Sequence, residues 1–481
     1  MSCFVRFFLF ITFFASAMGI DATPHPWSHG DLRVAPGGRY FCHDDGTPFF
    51  WMGDTGWLLP ERLDREEAVE YLAGASAAGF NVVQVQTVND VPARNAYGCS
   101  SHPAGYDFSD VDVDGDNGYW RHMDYIVDTA ADNGIYVGMV CIWGGLVKSG
   151  KMNVEEARAY GTFLARRYKD RPNIVWIIGG DIRGDVKTDV WVALAESIKS
   201  VDRRHLMSFH PFGRTSSVEW FHDAQWLDFN MFQSGHRRYD QTRGDGDDRA
   251  KASQAEDNWR YVDAAYGMSP AKPVIDAEPS YEEIPQGLHD PSEPWWKAPD
   301  VRRYAYWSVL SGATGHTYGH SSVMQMKKDE PVGAYGAVKT WREGMLDPGY
   351  NQMKYLCRLM EIIPFNELVS DQKIIAGENG SRYDRVVAAR GNGWILAYTY
   401  TNRPFTVALD RISGDKKLAW WYDVTSGAVD PAGEYDGTRA TFQYSGEPVG
   451  AGNDRVLIIA DAESALSLSP ILRSCTARRN M

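Results

Sequence analysis

The sequence predicts a (β/α)8 barrel, an α/β fold, followed by a small antiparallel β-sandwich. From residue 49 to about residue 319, short apolar runs alternate with helical patterns, which is typical of strand-helix units around a parallel sheet. Two of these runs end in carboxylates, Asp181 and Glu278, and the chemistry of such barrels lies at the carboxyl ends of the strands. After Pro364 the pattern changes to short strands separated by Gly and Asp turns, which indicates the sandwich.

Eight apolar runs predict the barrel strands. The first run is followed by a helix start at Asp64, with Glu67 three residues later and Gly79 as the stop. The predicted strands are residues 49–52, 81–88, 135–143, 174–178, 206–209, 229–232, 273–277 and 313–318. Further helices are predicted at residues 119–133, 154–168, 188–201, 253–266 and 301–311, with a short one near residues 218–222. Residues 89–117 and 234–250 are long for loops, and we expect them to rim the site.

The remaining chain predicts three further segments around the barrel of residues 20–364. Residues 1–19 resemble a signal peptide, because an apolar stretch follows Arg6 and Ala15-Ser-Ala17 has the spacing of a cleavage site. We therefore expect secretion, or export to the periplasm in a Gram-negative bacterium, and no membrane contact after cleavage. Residues 365–462 form the predicted sandwich, with residues 463–481 as a tail. The sandwich strands are predicted at residues 386–390, 394–399, 417–423, 439–444 and 455–460.

Composition narrows the class of partner. With 481 residues, 44% of them hydrophobic, the chain is too long for one ordinary domain. The 49 Lys and Arg residues face 63 Asp and Glu residues, and a net charge of -14 argues against nucleic acid as a partner. The 17 Trp and 25 Tyr residues exceed what a core needs, and flat aromatic faces stack on sugar rings. Carbohydrate is the expected partner, although packing remains the default role of each ring.

The two strand-end carboxylates predict glycoside hydrolysis. This reaction needs one carboxylic acid to protonate the leaving oxygen and a second carboxylate to attack the anomeric carbon or to activate water. The alternative is that each carboxylate only pairs with an arginine, for example Arg183 or Arg302. Two such carboxylates in one barrel favour catalysis. In a double displacement, Glu278 would be ionised while Asp181 begins protonated, and the carboxylates would lie roughly 5 to 5.5 Å apart rather than 6.5 to 9.5 Å.

Three segments carry a closer resemblance. Residues 50–57 (FWMGDTGW), 173–181 (NIVWIIGGD) and 277–282 (AEPSYE) resemble the signature segments of the apiosidase-like family, glycoside hydrolase family 140, over most of the chain. The resemblance implies a barrel joined to a collagen-binding-type β-sandwich, and cleavage of β-linked apiofuranose from a pectic (rhamnogalacturonan II) side chain. It implies Asp181 as acid/base and Glu278 as nucleophile. Related retaining barrels usually carry Asn-Glu where this chain has Gly180-Asp181, which favours this family over cellulase or mannanase relatives.

Other polar and aromatic residues at strand ends are candidates to bind the sugar. For each of them, a cap or a core role is an equal alternative. Glu282 follows the nucleophile closely and is interpreted as a supporting charge. The candidates for substrate binding are Asp54, Trp57, Gln86, Asn89, Trp143, His210, Gln233, Tyr281 and Tyr318.

The sequence predicts no catalytic metal and no cofactor. The acidic residues between Asp110 and Asp116 alternate as in a calcium loop, but position twelve is Arg121 instead of the required Glu. His316 and His320 lack a nearby third ligand, and satisfied polar roles are expected for both. Serine-esterase and nucleotide-binding motifs are also missing from the sequence.

Two alternatives stay open at this point. One is a retaining exo-glycosidase that acts on another plant or algal glycan. The other is a non-catalytic glycan-binding protein, for which Trp394, Trp420 and Trp421 of the sandwich could supply a surface, although packing is their default role. A lectin would be expected to have lost one of the two carboxylates, and this chain has both.

The buried run around Cys141 predicts a free thiol there.

Overall fold

The computed structural model describes residues 25–241 and 256–463. The strands are β1 (Leu32–Val34), β2 (Phe41–His43), β3 (Pro48–Phe49), β4 (Trp51–Thr55), β5 (Val82–Gln86), β6 (Tyr136–Val140), β7 (Ile174–Ile182), β8 (Met207–Pro211), β9 (Thr215–Ser216), β10 (Asn230–Gln233), β11 (Val274–Asp276), β12 (Gly315–Tyr318), β13 (Val369–Ser370), β14 (Ile375–Ala376), β15 (Val387–Gly391), β16 (Trp394–Thr399), β17 (Phe405–Ala408), β18 (Lys417–Asp423), β19 (Val429–Tyr435), β20 (Arg439–Phe442) and β21 (Arg455–Asp461). The α-helices are α1 (Leu59–Arg62), α2 (Arg65–Ala77), α3 (Tyr119–Asp132), α4 (Gly144–Lys148), α5 (Val154–Tyr168), α6 (Thr188–Val201), α7 (Val218–Phe221), α8 (Trp259–Tyr266), α9 (Ala298–Leu310), α10 (Ser321–Met324), α11 (Trp341–Gly344) and α12 (Pro348–Ile362). The predicted signal peptide, part of the loop at residues 234–250, the start of the helix predicted at residues 253–266 and nearly all of the tail lie outside the described residues.

The central sheet is a nearly closed barrel, which confirms the predicted fold class. Its strand order is β8-β7-β6-β5-β4-β12-β11-β10-β9, and the pairs are parallel except that the short β9 runs antiparallel to β10. The remaining gap is bridged where Asp228 N donates to Met207 O at 2.9 Å and Ser208 Oγ donates to Phe229 O at 2.7 Å. Each of the eight predicted runs overlaps one barrel strand. The ends of β7 and β11, where Asp181 and Glu278 lie, therefore meet at one mouth.

The N-terminal part of the barrel differs from the prediction in one respect. The predicted first strand, residues 49–52, is split, because Phe49 belongs to a small antiparallel sheet of β1, β2 and β3 whereas Trp51 begins the barrel. This small sheet closes the barrel floor, where the rings of Phe41 and Phe229 pack with centroids 5.1 Å apart. The capping box of α2 is confirmed, since Asp64 accepts from Glu67 N at 2.9 Å. The small sheet and helices α10 to α12 were not predicted.

The C-terminal strands form two antiparallel sheets, as predicted for a β-sandwich. One has the order β13-β15-β16-β21-β18-β19 and the other β14-β17-β20. Side chains of both sheets meet in one apolar core that includes Ile395, Val407 and Leu457. Trp394, Trp420 and Trp421 are 1%, 2% and 6% exposed, so they pack inside the protein and offer no surface to a glycan.

Two further expectations concern single residues. Cys141 is fully buried and free, as predicted, and burial raises the pKa of its thiol. Arg302 lies on α9 and binds Asp454 of the C-terminal sheets, with Nε to Oδ2 at 2.9 Å and Nη2 to Oδ1 at 2.6 Å. It therefore joins the barrel to the sandwich instead of neutralising Glu278.

Within residues 25–241 and 256–463, no helix has both the length and the apolar character required to cross a membrane.

Candidate active site

A backbone bulge at the end of β7 directs Asp181 into the barrel mouth. Gly179 and Gly180 have φ values of 90° and 113°, Asp181 follows with φ 50°, and the pairing of β7 with β8 shifts register here. A Cβ atom at Gly180 would lie 2.7 Å from Cε3 of Trp143, so glycine is required for this path beside the cavity wall. The Gly-Gly-Asp sequence therefore places the carboxylate by bending the strand.

Glu278 lies two residues beyond β11 and is 7% exposed. Two histidines hold it. His236 Nε2 donates to Glu278 Oε1 at 3.0 Å, and His210 Nε2 lies 3.3 Å from Oε2. The opposite nitrogen of His210, Nδ1, accepts from Asp181 N at 3.3 Å, so one imidazole ring joins the backbone of one carboxylate residue to the side chain of the other.

The surroundings separate the acidities of the two carboxyls. Burial alone would raise the pKa of Glu278, but the hydrogen bonds from His210 and His236 outweigh it and hold the pKa at about 2. Burial in the cavity wall, followed by the negative charge of Glu278, raises the pKa of Asp181 to about 7. Near neutral pH Glu278 is ionised and Asp181 retains a proton, which is the division of charge that a pair of carboxyls needs to cleave a glycoside.

Both carboxylates line a cavity of about 330 Å³ at the mouth. Trp57 forms part of its wall and donates from Nε1 to the hydroxyl of Tyr281 at 3.1 Å. Trp57 and Trp143 pack at 5.5 Å between ring centroids and present an aromatic surface near the carboxylates. Six of the nine predicted substrate-binding residues line this cavity, namely Trp57, Gln86, Asn89, Trp143, Gln233 and Tyr281.

The other three candidates do not line the cavity. His210 is fully buried behind Glu278 and supports it. Asp54 faces the helical layer, where its Oδ2 accepts from the hydroxyls of Tyr71 at 2.7 Å and Tyr350 at 3.2 Å. Tyr318 faces the same layer. The structure thus corrects the prediction that Asp54 and Tyr318 contact the sugar, because both occupy outward positions of their strands.

The structure also gives binding partners for Glu282 and for Arg183, an arginine that the sequence offered as a partner of a strand-end carboxylate. Glu282 accepts from the hydroxyl of Tyr318 at 2.5 Å and from the backbone N of Gly349 at 3.0 Å, at the start of α12, and it anchors the loop after Glu278. Arg183 forms a bidentate ion pair with Asp185 at 3.0 and 2.6 Å.

Several residues of the cavity were missed by the sequence reasoning. His236 follows β10 in a polar segment, and only its proximity to Glu278 in three dimensions reveals a role. Arg214 lies after β8, while His289 and Tyr335 come from the loops after β11 and β12. Tyr335 lines the same cavity as the two carboxyls, and its pKa is raised by burial and by the charges of Glu278 and Asp181.

The described residues hold no group of three or more His, Cys, Asp or Glu side chains arranged to bind a metal ion. His320 is satisfied, since its Nε2 lies 2.9 Å from Asp347 Oδ2 and its Nδ1 accepts from Ser322 N at 3.0 Å. His316 is fully buried, and burial lowers its pKa to about 3.

Replacing His236 with leucine, which has no side-chain hydrogen-bond donor, is expected to move the acid limb of kcat/KM upward by about 1 to 2 pH units. The depressed pKa of Glu278 depends in part on the hydrogen bond from His236, so loss of that bond lets Glu278 take up a proton at higher pH. The pH–rate profile measures this. His222→Leu is the matched control, because His222 is also buried but contacts Pro270 O. An unmoved acid limb would show that His236 does not tune Glu278.

Two family models together match most of the chain. Residues 35–367 match the family model described as "Apiosidase-like, catalytic domain", and residues 369–460 match the model described as "Putative collagen-binding domain of a collagenase". No curated protein sequence matches the chain significantly.

Two solved structures are similar along almost their whole length. A structure named "Glycoside hydrolase" is 58% identical with a TM-score of 0.90, and the alignment covers 92% of this chain and 99% of that one. A structure named as a glycoside hydrolase family 5 member from Bacteroides vulgatus ATCC 8482 is 55% identical with a TM-score of 0.90, covering 92% of this chain and 96% of that one. These matches confirm the resemblance drawn from the sequence. The chain belongs to the apiosidase-like family, and it is a glycoside hydrolase that acts on carbohydrate.

Proposed function

We propose that this protein is a secreted, retaining β-apiosidase that releases apiofuranose from pectic side chains of the rhamnogalacturonan II type. The observation that carries the proposal is the carboxyl pair at the ends of β7 and β11, with the pKa of Glu278 depressed and that of Asp181 raised. Membership of the apiosidase-like family supports apiose as the released sugar, and the first residues of the chain support export.

The proposed mechanism is a double displacement. Ionised Glu278 attacks the anomeric carbon while protonated Asp181 gives its proton to the leaving oxygen, forming a covalent glycosyl-enzyme. Asp181, now ionised, takes a proton from water, and the resulting attack releases the sugar with its original configuration. This route predicts carboxylates roughly 5 to 5.5 Å apart.

The dimensions of the cavity support a small sugar as the substrate. Its 330 Å³ lies at the lower end of the range of about 300 to 1,000 Å³ that small-ligand pockets span. Aromatic rings of Trp57 and Trp143 offer faces for stacking, and Gln86 and Gln233 offer amides to sugar hydroxyls. A single terminal sugar of a polysaccharide side chain fits a cavity of this size better than a continuous polysaccharide does.

A second hollow of about 590 Å³ adjoins the cavity on the side of Asp181. Because Asp181 protonates the leaving oxygen, the rest of the substrate would lie on this side. Lys148 and Arg183 both line the hollow, together with Asp185. Arg183 is already paired with Asp185, so the exposed Lys148 is the cation that supports an acidic aglycone, as a pectic chain would present.

Replacing Lys148 with methionine is expected to raise KM for an acidic leaving group about threefold, since an exposed charge contributes little. The side chain keeps its length and loses its charge. The test compares KM for two aglycones that differ only in a carboxylate, with the neutral one as the control. Equal changes in KM for both aglycones would remove the support for an acidic substrate.

The activity is expected to fall with a midpoint near pH 7 as the pH rises. The acid form of Asp181 is the active one in the first step, and its pKa is about 7, so raising the pH removes the proton donor. Glu278, with its depressed pKa, stays ionised across the range from about pH 4 to 6, where the profile should be flat. The pH–rate profile of kcat/KM measures both features. A basic limb above about pH 9 would contradict the role of Asp181.

Sugar release from rhamnogalacturonan II fragments tests the proposed substrate directly. The products are separated by chromatography against an apiose standard, beside Asp181→Asn and Glu278→Gln. Methanol as acceptor tests retention, because double displacement gives the methyl β-glycoside. If apiose is not released but another glycan is cleaved in a manner that depends on both carboxyls, the mechanism stands and the sugar is wrong. Inactivity on every glycan would favour a binding function.

A further inference from the structure

The C-terminal sheets contact the segment that carries His236 through a buried carboxylate. Glu256 is fully buried. Its oxygens accept from Arg303 Nη2 at 2.9 Å, from the hydroxyl of Tyr383 at 2.9 and 3.1 Å, and from the backbone N of Tyr239 at 2.8 Å. Arg303 lies on α9 of the barrel, whereas Tyr383 belongs to the C-terminal region. One carboxylate therefore binds the barrel, the C-terminal region and the segment after β10 together.

Aromatic rings from both parts of the protein surround the partner of this carboxylate. Arg303 is fully buried, and its guanidinium carbon lies between 4.7 and 5.3 Å from four ring centroids. Two of these rings come from the barrel and two from the C-terminal region. The rings are those of Tyr304, Trp307, Tyr383 and Tyr400. Separating a buried ion pair enclosed in this way would leave an uncompensated charge, which favours the observed arrangement.

The backbone N that donates to Glu256 belongs to Tyr239, three residues after His236. On the other side of the segment, Trp296 Nε1 donates to His236 O at 3.1 Å, and Arg238 Nη1 donates to Glu293 Oε2 at 2.7 Å. The segment is thus attached to the loop after β11 at one face and to Glu256 at the other. The ring of His236 packs edge-on against Tyr281 with centroids 4.7 Å apart, which aims its Nε2 at Glu278.

We propose that Tyr383 of the C-terminal region is a positioning residue for the nucleophile, acting through Glu256, the backbone of Tyr239 and His236. Precise placement of a group beside the reacting atom depends on such supports, and small displacements cost rate. The C-terminal sheets would then be part of the catalytic unit rather than an independent binding module. The proposal concerns glycoside cleavage in general and holds for whichever sugar is released.

Other charged and titratable groups surround both ends of this connection, and their effects must be kept constant in a test. Those facing Glu256 are Arg303, Asp300, Tyr239, Tyr304 and Tyr383. Those facing Glu278 are Asp181, His210, His236, Asp276, Tyr281 and Tyr335. Replacement of Tyr383 by phenylalanine changes none of these other groups and removes one hydroxyl.

The test uses the full chain labelled with 13C at histidine Cε1, which requires no substrate. The His236 cross-peak is assigned by its loss in His236→Gln. In Tyr383→Phe and Tyr383→Ala, this cross-peak is expected to move from its wild-type position at constant pH. On a glycan that the wild type cleaves, kcat is expected to fall about tenfold for Tyr383→Ala and about threefold for Tyr383→Phe, with KM unchanged.

Tyr398→Phe is the matched control. Its hydroxyl also binds a buried carboxylate at the same interface, Asp454 at 3.1 Å, but that carboxylate pairs with Arg302 and not with the segment of His236. This variant should lower the melting temperature without moving the His236 cross-peak. If folded Tyr383→Phe keeps the wild-type cross-peak and kcat, or if Tyr398→Phe moves the cross-peak equally, the contact is only structural and the proposal is overturned.

Discussion

Replacing Glu278 with glutamine is expected to lower kcat/KM by about 10⁴-fold or more. The amide keeps the shape of the side chain but cannot form the glycosyl-enzyme. His236 and His210 then no longer contact a negatively charged carboxylate. Initial rates on the released sugar measure the loss. Azide is expected to restore turnover in Glu278→Gly, because the small anion enters the space of the missing carboxylate and gives a glycosyl azide of inverted configuration.

Glu282→Gln is the matched control for this variant. Glu282 is also a buried carboxylate in the loop after β11, but it binds the hydroxyl of Tyr318 and the start of α12. Its replacement should lower the melting temperature and leave activity within about tenfold of wild type. If Glu282→Gln abolished activity while Glu278→Gln retained it, the nucleophile would be assigned to the wrong residue.

The two carboxyls could be predicted from the sequence because strand-end position is a property of a single segment. Asp181 and Glu278 each follow a short apolar run, and the rule that barrel strands end at one mouth brings them together without any knowledge of contacts. The backbone detail could not be predicted. Two glycines before Asp181 indicate unusual φ values, but the register shift that turns the carboxylate inward depends on the pairing of β7 with β8.

The face of a strand was harder to predict than its end. Strands of a parallel barrel are buried on both sides, so both faces are apolar and the alternation that normally marks the inward side is weak. Asp54 and Tyr318 are polar residues near the ends of barrel strands, a position that predicts contact with the barrel mouth. They lie instead in the layer between strands and helices, where the hydroxyls of Tyr71 and Tyr350 satisfy the carboxylate of Asp54.

Of the two histidines beside Glu278, His210 follows a predicted strand and can be placed at the mouth from local pattern, whereas His236 cannot. His236 lies in a polar segment without periodicity, and its partner Glu278 is far away in sequence. The same holds for Glu256 and Tyr383, whose contact joins the barrel to the C-terminal sheets. Such contacts are set by tertiary packing, which a single sequence does not encode in any short window.

Replacing Asp181 with asparagine is expected to lower kcat/KM by about 10³-fold for a sugar or other poor leaving group. Asparagine cannot protonate the leaving oxygen, and only a leaving group that needs no proton escapes this loss. For a nitrophenyl glycoside the first step should be nearly normal, and the slow second step should appear as a burst of nitrophenol. Rapid-mixing absorbance measurements detect the burst. Equal losses for both leaving groups would instead indicate that Asp181 has a structural role.

The same variant has a predicted effect on stability, with opposite sign. Burial beside Glu278 raises the pKa of Asp181 to about 7, above the value of about 3.9 in an unfolded chain, so ionising this group opposes folding. The stability that its proton provides is complete below the unfolded pKa and is lost as the pH rises through 7. Asparagine avoids that loss, and Asp181→Asn should therefore raise the melting temperature at pH 8 more than at pH 5. A variant that is inactive yet more stable at pH 8 would show that Asp181 lies where catalysis requires it and folding disfavours its charge. An equal change in melting temperature at pH 5 and pH 8 would contradict the raised pKa.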